Sequence, residues 1–597
     1  MSARRSVPTL SADSTSSIPT CKLEGLEKSS LSLSIPSPAH CMRYKYKKYE
    51  SSTNSYPSTA NSSDVLLSQP PPRTGSPPSP PSKNWKQELP FIFITCIAQF
   101  LSLSALNQTV SPVMVLAKYF KVEDYGNLSW FSASYSMSVG TFILPAGTYR
   151  PPPSTWIMAD EFPGRLGDMY GHKKVYLIGW LWFAVWSIIT GFAYTSNHIM
   201  FSTCRALQGI GPALLVPNAV ALIGRTLPVG KQRMIGFACF GASGPLGATA
   251  GAVFSALLAE LAWWPWMFWV LAAVCLIVMG LAYVILPEER REPVRGLINA
   301  KLPTFDYWGT ITGVSGLVLI NTALNQAPLV LWTTAYVSCL LGAGCVLMVV
   351  FFFVELHATD DPLIPIRGLG KDTVFALTCI VTGWASHGIW AYYLYLFLEQ
   401  LRGHSAMLTS AQTSPVAITG VLFAFSTVWL IQRFGVSHVM FIAMTCFMVG
   451  ALLLATMPIH QSYWLQTFFS ILIMPGAMNL SYPAANMLLS SALPKEKQGI
   501  AASLVSTMVN YSISCGLGVA GTIDRYVTRA AGKEAGISRP PPLSDDRPEL
   551  MAIRLIGFRA SFWFAVAFSA TGMMVASVFI GVTEKRKRAL RRGADAA

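Results

Sequence analysis

The chain is short of charge. Only 12% of its 597 residues are Asp, Glu, Lys or Arg, while 52% are hydrophobic. A soluble surface needs about a quarter of its residues charged, so this balance excludes an ordinary soluble protein and describes a chain surrounded by lipid. Paired cysteine motifs are missing too. The eleven Cys are scattered, most of them inside apolar stretches, and no C-x-x-C occurs, which leaves neither a disulfide framework nor a zinc site. No G-x-x-x-x-G-K-[ST] is present, so the chain carries no ATP motor of its own. Metal-ligand spacing, paired carboxylates within apolar stretches and a nucleophile beside a base are all lacking, so no enzyme, no cofactor and no metal is expected. The first 87 residues, rich in Ser, Pro and Thr, contain no long apolar stretch. They hold no signal peptide and cannot build a packed core, and a disordered cytosolic tail is the expectation.

What is present is a succession of apolar stretches of bilayer-crossing length. Six come first, near 90–117, 127–147, 175–194, 198–223, 234–258 and 264–286; two follow, near 305–326 and 331–354. Six more lie near 373–398, 408–431, 437–457, 463–489, 499–521 and 560–582, which makes fourteen and places both termini on one side. Basic residues choose that side. Lys173 and Lys174, Arg225 to Arg233, Arg290 to Lys301, Lys495 and Lys497, and the tail Lys585–Arg592 all fall on it, while 195–197, 327–330 and 457–462 opposite have no Lys or Arg. Both termini are therefore expected in the cytoplasm, and the net charge of +15 reads as loop charge rather than a nucleic-acid surface.

An ungapped internal repeat sets the organisation. Pro217–Gln232 and Pro483–Gln498 share their prolines, Leu227/Leu493 and a Lys-Gln pair at one offset, 483 − 217 = 266 residues. The reading is all-α and integral to the membrane: two six-helix halves at 88–290 and 373–583, joined by a linker at 291–372 with two extra helices, and a basic cytosolic tail at 584–597. Within these spans, Arg205 stands out. A charged residue at such depth must face the protein interior, with Gln208 one turn on along the same face. His387 is the one histidine in the middle of a span, either a proton acceptor or a polar packing residue.

Two signatures flank the third span: Gly164-Arg165-Leu166-Gly167-Asp168-Met169-Tyr170-Gly171-His172-Lys173-Lys174, and Arg205-Ala206-Leu207-Gln208-Gly209. They resemble the G-x-L-x-D-x-x-G-[RK]-[RK] and R-x-x-Q-G motifs of the major facilitator superfamily. That resemblance implies a secondary transporter whose halves rock about a midplane site, with Gly167, Asp168, Gly171, Lys173 and Lys174 forming a conformational latch. Arg205, Gln208 and His387 would then belong to the transport or proton pathway. Asn107, Asn218, Trp390, Tyr393, Gln412, Asn479 and Asn510 are the further cavity candidates. Gly244, Pro245 and Gly247 resemble part of the antiporter-associated G-x-x-x-G-P-x-x-G-G, a bendable helix. Fourteen-helix drug:proton antiporters usually place an aspartate where this chain has Asn107, and an amide carries no proton. The closest resemblance is to a fungal branch of aminotriazole-resistance, borate-efflux and low-affinity ammonium-facilitator-like proteins.

The resemblance implies a small-molecule substrate, exchanged protons, a lipid surround and a monomer, in the plasma membrane rather than the vacuole. Efflux of drugs or small polar solutes, uncoupled facilitation of ammonium or borate, and a non-transporting sensor stay open as alternatives. One segment fits none of this. Thr148–Gly164 interrupts the run from the second span into the first signature, and its codons can spell donor-, branch- and acceptor-like splice strings in frame. A retained intron or a lineage-specific cytoplasmic loop accounts for it.

Overall fold

The computed structural model describes residues 85–146, 171–228, 231–288, 306–358, 364, 370–492, 498–537 and 547–595. The expected N-terminal tail (up to residue 84), the insert at 148–164, and Gly167 and Asp168 lie outside them. Among the described residues sixteen α-helices follow one another. They are α1 (Trp85–Asn107), α2 (Val113–Phe120), α3 (Tyr125–Ala146), α4 (His172–Phe192), α5 (His198–Thr226), α6 (Lys231–Leu261), α7 (Trp266–Ile285) and α8 (Tyr307–Val330). Then come α9 (Ala335–Phe353), α10 (Lys371–Leu396), α11 (Ala406–Thr413), α12 (Pro415–Phe434), α13 (Val436–Ala455), α14 (Gln466–Ala492), α15 (Gln498–Glu534) and α16 (Pro548–Asp595). Among the described residues, eleven helical segments are long and apolar enough to cross a membrane.

Helices α3, α8 and α14 have spanning length but fall outside those eleven. On α3 the reason is visible: Ser129, Ser132, Ser134, Ser136 and Ser138 are all buried in the protein, so they dilute the hydropathy without meeting lipid. Other boundaries moved for local reasons. The expected span 90–117 stops at Asn107, where Gln108 donates to the Met267 carbonyl and Thr109 Oγ1 to the Phe131 carbonyl (3.1 Å); the chain restarts as the short α2. The span near 408–431 is split before Pro415, which opens α12 at its first turn, where a missing N–H costs nothing. The last span and the basic tail form one helix, α16, through Asp595.

The helices pair off by short, close contacts. Helix α1 lies along α6, α3 and α4 along α5, and α4 along α7; α10 lies along α15 and α16, α13 along α14 and α16, and α12 along α14. Gly247 and Gly251 explain the first pair. A methyl at either would overlap the α1 backbone, at the carbonyls of Phe100 and Ser104 respectively, so bare glycine lets the two helices touch. Contacts α3–α15 and α6–α12 join the two groups, and α8 with α9 packs outside them against α15 and α3. The repeat reappears in space: Pro217 in α5 and Pro483 in α14 each stand nine residues before their helix end (226 − 217 = 492 − 483 = 9).

Candidate functional site

Four helices from each group enclose a cavity of about 420 Å³: α1, α3, α5 and α6 on one side, α10, α12, α14 and α15 on the other. On α1 its wall is the stripe Gln99, Ser102, Leu103, Leu106 and Asn107, the i, i+3, i+4, i+7, i+8 face of a helix, with Val110 just beyond the helix end. Phe237, Phe240, Gly244 and Pro245 face it from α6, and Trp384, His387 and Tyr392 from α10. Asn479 and Tyr482 on α14 and Ser506 and Asn510 on α15 complete the polar part. No Asp, Glu, Lys or Arg is among the described lining residues.

Much of this polarity is already engaged. Asn479 and Asn510 donate to carbonyls one turn back, Pro475 (2.9 Å) and Ser506 (3.0 Å). Tyr482 shares a bond with Ser506 Oγ (2.7 Å), and Tyr392 donates to the Tyr125 carbonyl of α3 (3.2 Å). Trp384 Nε1 donates to Ser481 Oγ (3.2 Å). Left over are the side-chain amides of Gln99 and Asn107, which make no hydrogen bond among the described residues, the Nδ1 of His387, and the amide oxygens of Asn479 and Asn510. The His387 ring stacks on Trp390 (5.8 Å, 23°) and meets Trp384 edge-on (5.5 Å, 78°).

Arg205 is fully buried but sits behind the wall, not in it. Its guanidinium donates to the carbonyls of Phe131 (3.1 Å) and Ala105 (2.7 Å) and to Gln208 Oε1 (2.6 Å), with Thr109 Oγ1 at 3.3 Å. The Tyr135 ring covers it at 4.5 Å. Gln208 passes the network to Ser187 of α4 (2.7 Å). One arginine thus ties α1, α3, α4 and α5 together, with carbonyl oxygens where a carboxylate would be expected. Charge-assisted bonds of this kind are the stronger class.

The other sequence candidates divide. Asn107, His387, Asn479, Asn510, Gly244 and Pro245 are brought together at the cavity, and Gly247 serves the α1–α6 contact instead. Asn218 lies at the α4–α5 junction, its Oδ1 2.8 Å from His172 Nδ1. Trp390 turns its Nε1 to Ser470 Oγ (2.8 Å), and Tyr393 packs against Phe558 and Phe562 of α16. Gln412 is at the end of the bundle, bonded to His404 Nδ1 (3.1 Å). Burial holds that imidazole below its ordinary range, and nearby Arg402 acts in the same direction, while the Gln412 bond opposes them. Of the first signature, Gly171 has φ +94°, a conformation that favours glycine, and opens α4. Lys173 caps the end of α7 through the Leu286 carbonyl (2.7 Å) and lies over Tyr283 (5.3 Å), while Lys174 is exposed. The sequence reading missed Gln99, Ser102, Tyr392, Tyr482 and Ser506; the helical stripe through Asn107 points to the first.

Among the described residues, polar contacts between the two groups close one end of the cavity. There Ser111 and Ser410 hydroxyls meet at 2.5 Å, Ser410 also reaches the Ala252 carbonyl (3.2 Å), and the Met407 N–H donates to Glu260 Oε1 (3.1 Å). Arg525 pairs with Asp124 (3.1 Å) at the same end. In the other direction the lining runs to Met234, in the first turn of α6, and to Ile143, near the far end of α3.

The sequence signature of the Major Facilitator Superfamily matches residues 162–519. The low affinity ammonium transporter of Saccharomyces cerevisiae is 43% identical over 84% of this chain and 89% of its own length. The efflux pump terJ of Aspergillus terreus is 37% identical over 84% and 89%. Among solved structures, a POT family transporter in complex with a thioalcohol conjugated peptide superposes with a TM-score of 0.54 at 14% identity, covering 83% of this chain and 96% of that one, which shows a shared fold. The chain belongs to the major facilitator superfamily of membrane transporters.

Proposed function

We propose that the chain is a secondary transporter that exports a small polar or drug-like solute by alternating access. Fourteen spans cross the membrane: α1 and α3–α7 form one half; α10, α11 with α12 as a single span, and α13–α16 form the other; and α8 with α9 is an added pair. The single observation that carries this reading is a cavity walled by four helices from each half, sealed between the halves at one end and reaching toward the other. The unsealed end carries the Lys- and Arg-rich connections, so it faces the cytoplasm, together with both termini, in the plasma membrane. Breaking the sealed-end contacts while closing the halves at the opposite end would expose the same wall to the other side. The first signature, with Gly167 and Asp168, acts as the cytoplasmic latch of that exchange. Arg205 and Gln208 hold the wall in position, and His387 is the proton acceptor, since residue 107 is an amide.

A second reading is uncoupled facilitation of a small solute, favoured by the 43% identity to the low affinity ammonium transporter. Uptake and efflux measured in proteoliposomes across an imposed pH gradient separate the two. Efflux that follows the gradient and is lost in His387→Ala supports coupling. Solute flux indifferent to the gradient leaves facilitation, and no flux of any solute in a broad panel sinks both.

A further inference from the structure

We propose that the central cavity selects an uncharged solute, one with a flat aromatic or apolar face and an amide-like group that both donates and accepts, and rejects ions of either sign. The inference rests on reading the chain as a transporter built around that cavity.

Three features of the wall converge on it. The side-chain amides that make no hydrogen bond among the described lining residues are those of Gln99 and Asn107 on one α1 stripe. Facing them are the Nδ1 of His387 on α10 and the amide oxygens of Asn479 and Asn510, whose nitrogens alone are engaged. Each α1 amide offers a donor and an acceptor side by side, which is complementary to another neutral group of the same kind. An ion of one sign would use half of each amide and face the wrong end of the other half. Second, the remaining surface is mostly apolar, with Phe237, Phe240 and Trp384 presenting rings, and the described lining contributes no carboxylate, ammonium or guanidinium. An ion dehydrated there would be buried without a counter-charge, the least favourable arrangement a cavity can offer. Third, the charged groups Arg205, Asp124 and Glu260 are held outside the wall by partners of their own. Arg205 is engaged by the Phe131 and Ala105 carbonyls and Gln208 behind the wall. Asp124 is paired with Arg525, and Glu260 holds the Met407 N–H, both at the sealed end.

A matched set of probes tests this: benzamide, benzamidine and benzoate, which share a ring and nearly a size but are neutral, cationic and anionic at neutral pH. Binding of each labelled probe to the purified full chain in nanodiscs is measured by equilibrium dialysis. The expected result is benzamide binding at least roughly tenfold more tightly than either ion, the scale on which one added charge contact discriminates. Asn107→Asp places a carboxylate in the stripe, and benzamidine should then gain roughly tenfold while benzamide loses affinity. If that variant does not fold, Asn510→Asp, across the cavity, carries the same test. Either ion binding the native chain as tightly as benzamide overturns the proposal, and so does failure of all three to bind. A cation preferred by the native rings would mean an aromatic cage instead. Proteoliposome flux keeps the two readings apart. Benzamide bound but never moved removes the transporter and leaves the selectivity; ions bound and moved as well as benzamide do the reverse.

Discussion

Replacing Arg205 with Met is the sharpest perturbation of the wall. The guanidinium donates at 2.6 Å to Gln208, 2.7 Å to the Ala105 carbonyl and 3.1 Å to the Phe131 carbonyl, and Met keeps the side-chain bulk but none of these bonds. Bonds from a charged donor are worth about 1.5–3 kcal/mol each, so the three amount to about 4.5–9 kcal/mol gross. Relief of the dehydration borne by a buried guanidinium, several kcal/mol, works in the opposite direction. The net destabilisation expected is about 3–5 kcal/mol, toward the lower value because the partners are carbonyls and no unpaired charge is left behind. Unfolding can be followed with a thiol-reactive dye, since Cys204, next to Arg205 in the chain, and Cys275 are both buried in the folded protein. Arg205→Lys should fall between the two, because an ammonium cannot reach acceptors on α1, α3 and α5 with one fixed fork. Arg205→Met protein as stable as the native chain to within about 0.5 kcal/mol would refute the argument. So would a large loss of solute affinity at unchanged stability, which would put Arg205 in contact with the solute.

Gly247→Leu should abolish the folded protein, because its side chain would enter the Phe100 backbone of α1; monodisperse material on size exclusion would contradict the α1–α6 contact. Asp124→Asn removes a partly exposed ion pair, so stability should change by less than about 1 kcal/mol. The sealed end should nevertheless open more often, seen as faster outward-side labelling of a cysteine introduced at Val110. Lys173→Ala should cost about 0.3–1 kcal/mol through the lost cap on α7. Sequencing transcripts across codons 140–175 settles the insert: mature messages lacking the codons for Thr148–Gly164 are expected, and their presence in every message points to a true loop.

Helix positions were legible because lipid-facing surface must be apolar, and that requirement is written along the chain. The break after Asn107 was not, because it depends on Gln108 finding the Met267 carbonyl of a distant helix. The same limit governs the site. Sequence shows which residues share a helix face but not how that helix is rotated toward its neighbours. Asn107 and Arg205 are both polar residues within apolar stretches, yet one amide faces the cavity and the guanidinium faces two backbone carbonyls and a glutamine side chain. Trp390 and Tyr393 sit within two turns of His387 and turn away to Ser470 and to α16. A polar side chain satisfied by carbonyls looks, in sequence, the same as one awaiting a solute. The α1 stripe was the exception: Gln99, eight residues before Asn107, could be found from it by helical spacing alone.

The central claim is that one wall is exposed alternately to the two sides of the membrane. A single cysteine at Ser102, introduced by Ser102→Cys after the native cysteines are replaced, reports it directly with an impermeant thiol reagent applied to inside-out and right-side-out vesicles. The account predicts labelling from the cytoplasmic side at rest, and from the outer side only once solute is turning over. Labelling from both sides at rest, or from neither side under any condition, would contradict it.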